Sequence, residues 1–191
     1  VAADVRSLPL SGGSLGLAWS NLMLHWLDDP LPAFGELQRV LETGGLLMFS
    51  ALGPDTLKEL RGAGATTLRR FHDMHDLGDM LIDAGFADPV MAEERLTLTW
   101  DSPQALLAEL RQLGANASPA RFAGLRTPRW RDRLHDALAT LAAADGRIAM
   151  SFEVVYGHAF KAAPRVRSDA PTLVSVQDMR AMLGSARKAH R

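Results

Sequence analysis

The stretch LGLAWSNLMLHWLDDP, residues 15–30, decides how this chain reads. A short apolar run (Leu15, Leu17, Ala18, Trp19) stops abruptly at the polar pair Ser20-Asn21. Beyond that pair Leu22, Leu24, Trp26 and Leu27 interleave with His25, a pattern that predicts a helical run. In an open parallel sheet, ligands bind in the crevice outside the carboxyl ends of the strands, so the Ser20-Asn21 edge is where a site is expected. Downstream, Leu31, Phe34, Leu37, Val40 and Leu41 recur near a 3.6-residue period and predict a helix. Gly44-Gly45 is expected to stop it through positive φ, and Leu46–Leu52 reads as a second buried strand. Strand, helix and strand at this spacing form a βαβ unit with parallel strands and a right-handed crossover.

Farther along, Gly53-Pro54-Asp55 opens a short helix through Arg61, and another helix runs from about His75 to Ala84, closed by Gly85. Pro89–Trp100 reads as a long strand. Ser102-Pro103 and Thr127-Pro128 each place an N-cap before a proline at N1, predicting helices up to Gly114 and to about Ala143. Ile148–Phe160 alternates, with Ile148, Met150, Phe152, Val154, Tyr156, His158 and Phe160 on one face. The fold class is therefore α/β: a short parallel half-sheet, then two longer strands with helices inserted between them. Residues 1–162 form one domain with a helical insertion at about 102–147; residues 163–191 read as a linker and a loosely ordered tail.

The chain has 191 residues, 47% of them apolar, a formal net charge of −1 and no cysteine. This composition can fill a core, excludes disulfide, thiolate and Cys-ligated zinc chemistry, and argues against bulk nucleic acid as a partner. No run approaches the ~18 apolar residues of a membrane span, and no signal peptide is evident, so the expected location is cytoplasmic.

The segments ADVRSLPL, LAWSNLMLHWLDD, ELQRVLETGGLLMFS, GPDTLKELR, FHDMHDLGDMLIDAGF and FEVVYGHAF together resemble the class I S-adenosylmethionine-dependent methyltransferases. Within that superfamily they are most similar to the malonyl-acyl-carrier-protein O-methyltransferases of biotin synthesis. GPDTLKELR and FHDMHDLGDMLIDAGF are the specific part; the earlier segments are shared by many small-molecule methyltransferases. A methyltransferase-like branch of respiratory complex I assembly factors carries a similar DTLxELR segment and is the nearest competitor, with a generic small-molecule methyltransferase as a third reading. The superfamily's sheet order is 3-2-1-4-5-7-6 with strand 7 antiparallel. The resemblance implies that this chain supplies the Rossmann-like strands 4-5-7-6, with a helical insertion between strands 6 and 7. It also implies an N-terminal truncation of roughly 90–100 residues, at ~30 per βα repeat, carrying the Gly-rich loop and the ribose-binding acid. Such a piece is expected to bind S-adenosylmethionine poorly by itself.

The resemblance assigns roles to particular residues. Asp4 would accept from the adenine amino group and the Val5 amide would reach the ring, although Asp4 also reads as a solvated turn residue. Ser20 and Asn21 would lie beside the transferred methyl, as well as being favoured helix caps. His25 and Trp26 would wall the substrate side, a position where a Trp is often simply core. The acid usual inside strand 4 is Gly16 here, which touches local rigidity more than chemistry. His72, His75 and Asp79 share helical spacing, but a lone carboxylate beside two histidines near a helix start is a poor ligand set, and no metal is expected. Residues 119–133 hold Arg121, Arg126, Arg129, Arg131 and Arg133 against Asp132 alone. That patch is either a solvated helix face or a dock for malonyl-loaded acyl carrier protein, whose acidity suits clustered arginine. A carboxylate acceptor is already ionised at neutral pH, so no catalytic base is assigned.

Overall fold

The computed structural model describes residues 2–65, 70–113, 122 and 124–163; the linker and tail beyond residue 163 and the arginine at 121 lie outside them. Strand β1 (Leu15–Ser20) and strand β2 (Leu41–Leu52) run parallel, joined through helix α1 (Leu31–Val40). Helices α2 (Lys58–Gly62) and α3 (Met74–Asp83) lead to β3 (Phe86–Trp100). Helices α4 (Pro103–Gln112) and α5 (Pro128–Ala139) then precede β4 (Ile148–Lys161). The described sheet has the order β1-β2-β4-β3, with β4 antiparallel to both neighbours. This is the 4-5-7-6 order with a reversed strand 7, and the helical insertion falls between β3 and β4 as expected.

Local chemistry explains most element ends. Asp73 caps α3 by accepting from the His75 amide, Ser102 caps α4 from the Ala105 amide, and Thr127 caps α5 from the Trp130 amide. Each satisfies an N–H that the first helical turn leaves orphaned. Gly85 (φ +89°) closes α3 as anticipated.

Three expectations need correction. Helix α1 is not stopped by the glycines: Leu41 is already extended, and Gly44-Gly45 lie inside β2. There the ladder jumps from Leu15↔Leu41 to Leu17↔Leu46, and a Cβ on Gly45 would stand 2.9 Å from the Glu42 carbonyl oxygen. The pair thus serves a bulge and a close backbone approach rather than a helix stop. Residues 22–27 form only a 3-10 turn at Leu24–Trp26. Leu22 sits at φ 49° with its amide bonded to the Ser50 carbonyl, and Pro30 disfavours helix at the residue before it. Helix α5 ends at Ala139, before a bridge pairs Ala142 with Ile148.

Because side chains alternate along a strand, β4 feeds two apolar cores on opposite faces. On one face Leu47, Phe49, Ala51, Val155 and Ala159 pack against α1 and α3 through Phe34, Leu37, Leu77 and Leu81. On the other, Trp100, Ile148 and Met150 pack under α2, α4 and α5 through Leu60, Leu106, Leu110, Leu134 and Leu138. Among the described residues, the second face is covered only toward that end. Farther along it Leu17, Trp19, Met48, Val90, Tyr156 and Phe160 are exposed, Trp19 to 77%.

Candidate functional site

The carboxyl ends of β1 and β2 meet at a small polar cluster. The Ser50 hydroxyl on β2 donates to Asn21 Oδ1 at 2.6 Å and accepts from the Leu22 amide at 3.1 Å. The Leu22 amide also reaches the Ser50 carbonyl oxygen at 3.1 Å. Ser50 therefore holds the whole turn that ends β1. That turn stores strain: a non-glycine residue at positive φ costs about 1–3 kcal/mol and persists only when its surroundings over-determine it, as these bonds do at Leu22. Asn21 is exposed and, with Trp19, Met48, Ser50, Tyr156 and His158, lines a hollow of about 340 Å³ on the uncovered face. Tyr156 at its margin donates to Glu94 at 3.3 Å. Desolvation first, then the Glu94 charge, raises the phenol above its ordinary pKa.

Ser20 is buried and points to the core face opposite Asn21, since it pairs with Phe49 in the ladder. Its hydroxyl has no partner among the described residues. His25 is buried, its ring 5.3 Å from that of Trp26 and 5.7 Å edge-on from Phe71, while Trp26 remains half exposed. Asp4 is not hydrogen-bonded to this cluster. Arg6 grips its carboxylate through the side chain (2.7 Å) and the backbone amide (2.9 Å), which lowers its pKa to about 2. Its segment is fastened to α1, with the Leu8 amide donating to Glu36 and Arg39 donating to the Leu8 and Leu10 carbonyls. Val5 packs against the first core.

The described arginines of this patch do not form one face. Arg126 stacks over Phe122 (4.6 Å) and Trp130 (4.4 Å), while Arg131 leans on Asp132 at 3.4 Å. Arg129 and Arg133 lie beside Asp132 and Asp136 along another side of α5. His75 pairs with Asp73 at 2.7 Å, an exposed contact that raises the imidazole pKa first through that hydrogen bond. Among the described residues no three His, Cys, Asp or Glu gather as metal ligands.

Sequence reasoning missed a second polar assembly. The GPDTLKEL segment straps across β4. The Gly53 amide donates to the Glu153 carbonyl, the Asp55 amide to the Glu153 carboxylate at 2.8 Å, and Thr56 Oγ1 pairs with the Glu153 backbone. Glu59 accepts from the Ser151 amide and hydroxyl. Burial alone would raise its pKa, but these bonds more than offset that and lower it. Glu153 is 4% exposed, and a Cβ on Gly53 would collide with its carboxylate. Alternation gave no signal for it, since Glu153 falls out of phase with the apolar face read from Ile148 to Phe160.

The chain has relatives among known proteins. Residues 1–49 match the family described as "Methyltransferase domain". The chain is 49% identical over 180 residues to the malonyl-[acyl-carrier protein] O-methyltransferase of Gallionella capsiferriformans, an alignment covering 91% of this chain and 62% of that protein. It is also 49% identical over 173 residues to the enzyme of the same name from Laribacter hongkongensis, covering 87% and 58%. The chain thus spans about three fifths of the length of these relatives. Among solved structures, a Bacillus halodurans C-125 protein assigned as a methyltransferase superposes with a TM-score of 0.55 at 14% identity. That superposition covers 84% of this chain and 76% of that one, a likeness of fold.

Proposed function

We propose, from the premise that this chain carries the class I methyltransferase fold, that it forms part of an S-adenosylmethionine-dependent carboxyl O-methyltransferase acting on malonyl-acyl carrier protein. One observation carries the reading: identity of 49% across 91% of the chain to a protein of that name. The strand-end residues suit the chemistry. Asn21 presents a carboxamide at the carboxyl edge of β1, and the Ser20 hydroxyl on the opposite, core face is buried with its bonding capacity unspent on any described residue. These two residues, with Asp4 and Val5 for the adenine end, would hold the cofactor, and His25 and Trp26 would flank the substrate. Arg6 already occupies the Asp4 carboxylate, so an adenine amino group would share it through the remaining lone pairs.

The cofactor supplies an electrophilic methyl on a sulfonium. The acceptor is a carboxylate with an ordinary pKa near ~4, ionised at neutral pH, so the protein need not remove a proton. Its residues act by aligning the carboxylate oxygen with the methyl and by excluding water from a nucleophile that hydration would blunt. Acyl carrier protein is the proposed partner, met by Arg126, Arg129, Arg131 and Arg133 of the insertion, and by Arg121. No helix among the described residues is long and apolar enough to cross a membrane, which is compatible with the cytoplasmic location proposed for such an enzyme.

The test is to incubate the intact protein with S-adenosylmethionine and malonyl-acyl carrier protein and weigh the carrier. A methylated malonyl carrier supports the reading. An unmodified malonyl carrier, with a known methyltransferase of this class active in parallel, overturns it.

A further inference from the structure

The Ser50–Asn21 hydrogen bond fixes which way a carboxamide faces. Ser50 Oγ has one proton. It accepts from the Leu22 amide and lies 2.6 Å from Asn21, a spacing typical of O–H···O rather than N–H···O bonds. The Asn21 atom facing Ser50 is therefore the oxygen, and the hydroxyl proton is given to it. With Oδ1 taken on that side, Nδ2 is the end left over, and it makes no hydrogen bond to a described residue. Asn21 is exposed and lines the hollow on the uncovered sheet face. An amide turned this way offers two N–H donors and little acceptor capacity, a match for an anionic oxygen and a mismatch for an amine or hydroxyl proton.

We infer that Ser50 is a positioning residue. It locks the Asn21 carboxamide so that Nδ2 is presented as a donor to a carboxylate at the carboxyl edge of β1. This rests on the methyltransferase reading and adds to it a device that selects the charge of what binds at the strand end. Two carboxylates have the required chemistry, the free malonyl carboxylate and the carboxylate of the cofactor's methionine moiety. The register explains how β2 controls a residue on β1: Ser20 pairs with Phe49, so the residues next in line, Asn21 and Ser50, come side by side.

The experiment uses the intact protein with Ser50→Ala, Ser50→Thr and Asn21→Asp, measuring the Kd for S-adenosylmethionine by calorimetry and the KM for malonyl-acyl carrier protein. Ser50→Thr keeps a hydroxyl proton donor and is expected to stay within about threefold of wild type in both quantities. Ser50→Ala frees the amide to flip and is expected to weaken one of them about tenfold, the scale of one charge-assisted hydrogen bond. Asn21→Asp is exposed, folds regardless, and replaces donors by a like charge, so it is expected to weaken the same quantity by more. A rise in KM with unchanged Kd assigns the substrate carboxylate. A rise in Kd assigns the cofactor's carboxylate, and this arm reads out even if malonyl-acyl carrier protein is not the substrate. Wild-type Kd and KM in both Ser50→Ala and Asn21→Asp overturn the inference. So does a Ser50→Thr variant that melts like wild type yet binds as poorly as Ser50→Ala.

Discussion

The two ends of a single sheet face behave differently. Trp100, Ile148 and Met150 lie under α2, α4 and α5 and are almost wholly buried, whereas Trp19, Met48, Val90 and Tyr156 on the same face stand in solvent. Their sequences look alike, since alternation along β4 runs unbroken from Ile148 to Phe160. Alternation reports which face a side chain takes, and says nothing of what covers that face. The covered end is a core. The open end is a contiguous apolar surface bordered by the Asn21–Ser50 cluster, the kind of surface that marks a contact or a binding groove.

This contrast is open to measurement in the 191-residue chain. Leu138→Ala, at a fully buried position of the covered end, is expected to cost about 2–5 kcal/mol in urea unfolding, while Trp19→Ala at the open end stays within about 0.5 kcal/mol. Equal losses at the two sites would erase the distinction. Next in size is a change on the opposite face, behind the open end. An added Cβ at Gly157 would meet Phe49 and the Met91 sulfur well inside contact distance, so Gly157→Ala is expected to lose about 1–3 kcal/mol. Its neighbour His158, on the open face, should tolerate substitution far better by the same assay. Smaller again is the loss of a cap. Ser102→Ala removes the acceptor for the Ala105 amide and is expected to cost about 1 kcal/mol, loosening the covered end alone and visible as faster amide exchange in α4.

The smallest effect is one of pH. Glu59 is held below its ordinary pKa by its bonds to Ser151, so its contribution is present in full above about 4.5 and is lost as pH falls through the folded-state value. Wild type should therefore lose urea midpoint on acidification below that range more steeply than Glu59→Gln. Parallel slopes would show that the strap from α2 to β4 does not depend on that charge.

Much of this organisation was legible in residues 15–52. An apolar run ending at Ser20-Asn21, a periodic helix and a second apolar run are enough for the parallel pair, and the cap-proline signatures at Ser102 and Thr127 placed both inserted helices. The misses share a physical cause. Gly44-Gly45 reads as a helix stop in one dimension, but its role depends on the backbone of Leu15 brought alongside it by strand pairing. Leu22 looks helical by pattern, yet the hydrogen bonds its amide donates to Ser50 on the next strand decide its conformation. Glu153 meets the Gly53–Asp55 segment across some hundred residues. The candidate site divides in the same way. Ser20, Asn21, His25 and Trp26 could be singled out because they are neighbours in sequence around the end of an apolar run, while the part Ser50 plays emerges only from register. Of the arginine cluster, compact in sequence, Arg129 and Arg133 are set on a different side of α5 from Arg131 by the turn of the helix.

The central claim is methylation of a carboxyl oxygen. The most direct measurement uses S-adenosylmethionine labelled on the methyl group, malonyl-acyl carrier protein and the intact protein, followed by mild base. A carboxyl methyl ester hydrolyses under those conditions and releases its label as volatile methanol, whereas N-methyl and ether methyl groups retain theirs. Label transferred to the carrier is expected to be recovered as methanol. Label that stays on the carrier through base, or never reaches it, would rule out carboxyl methylation.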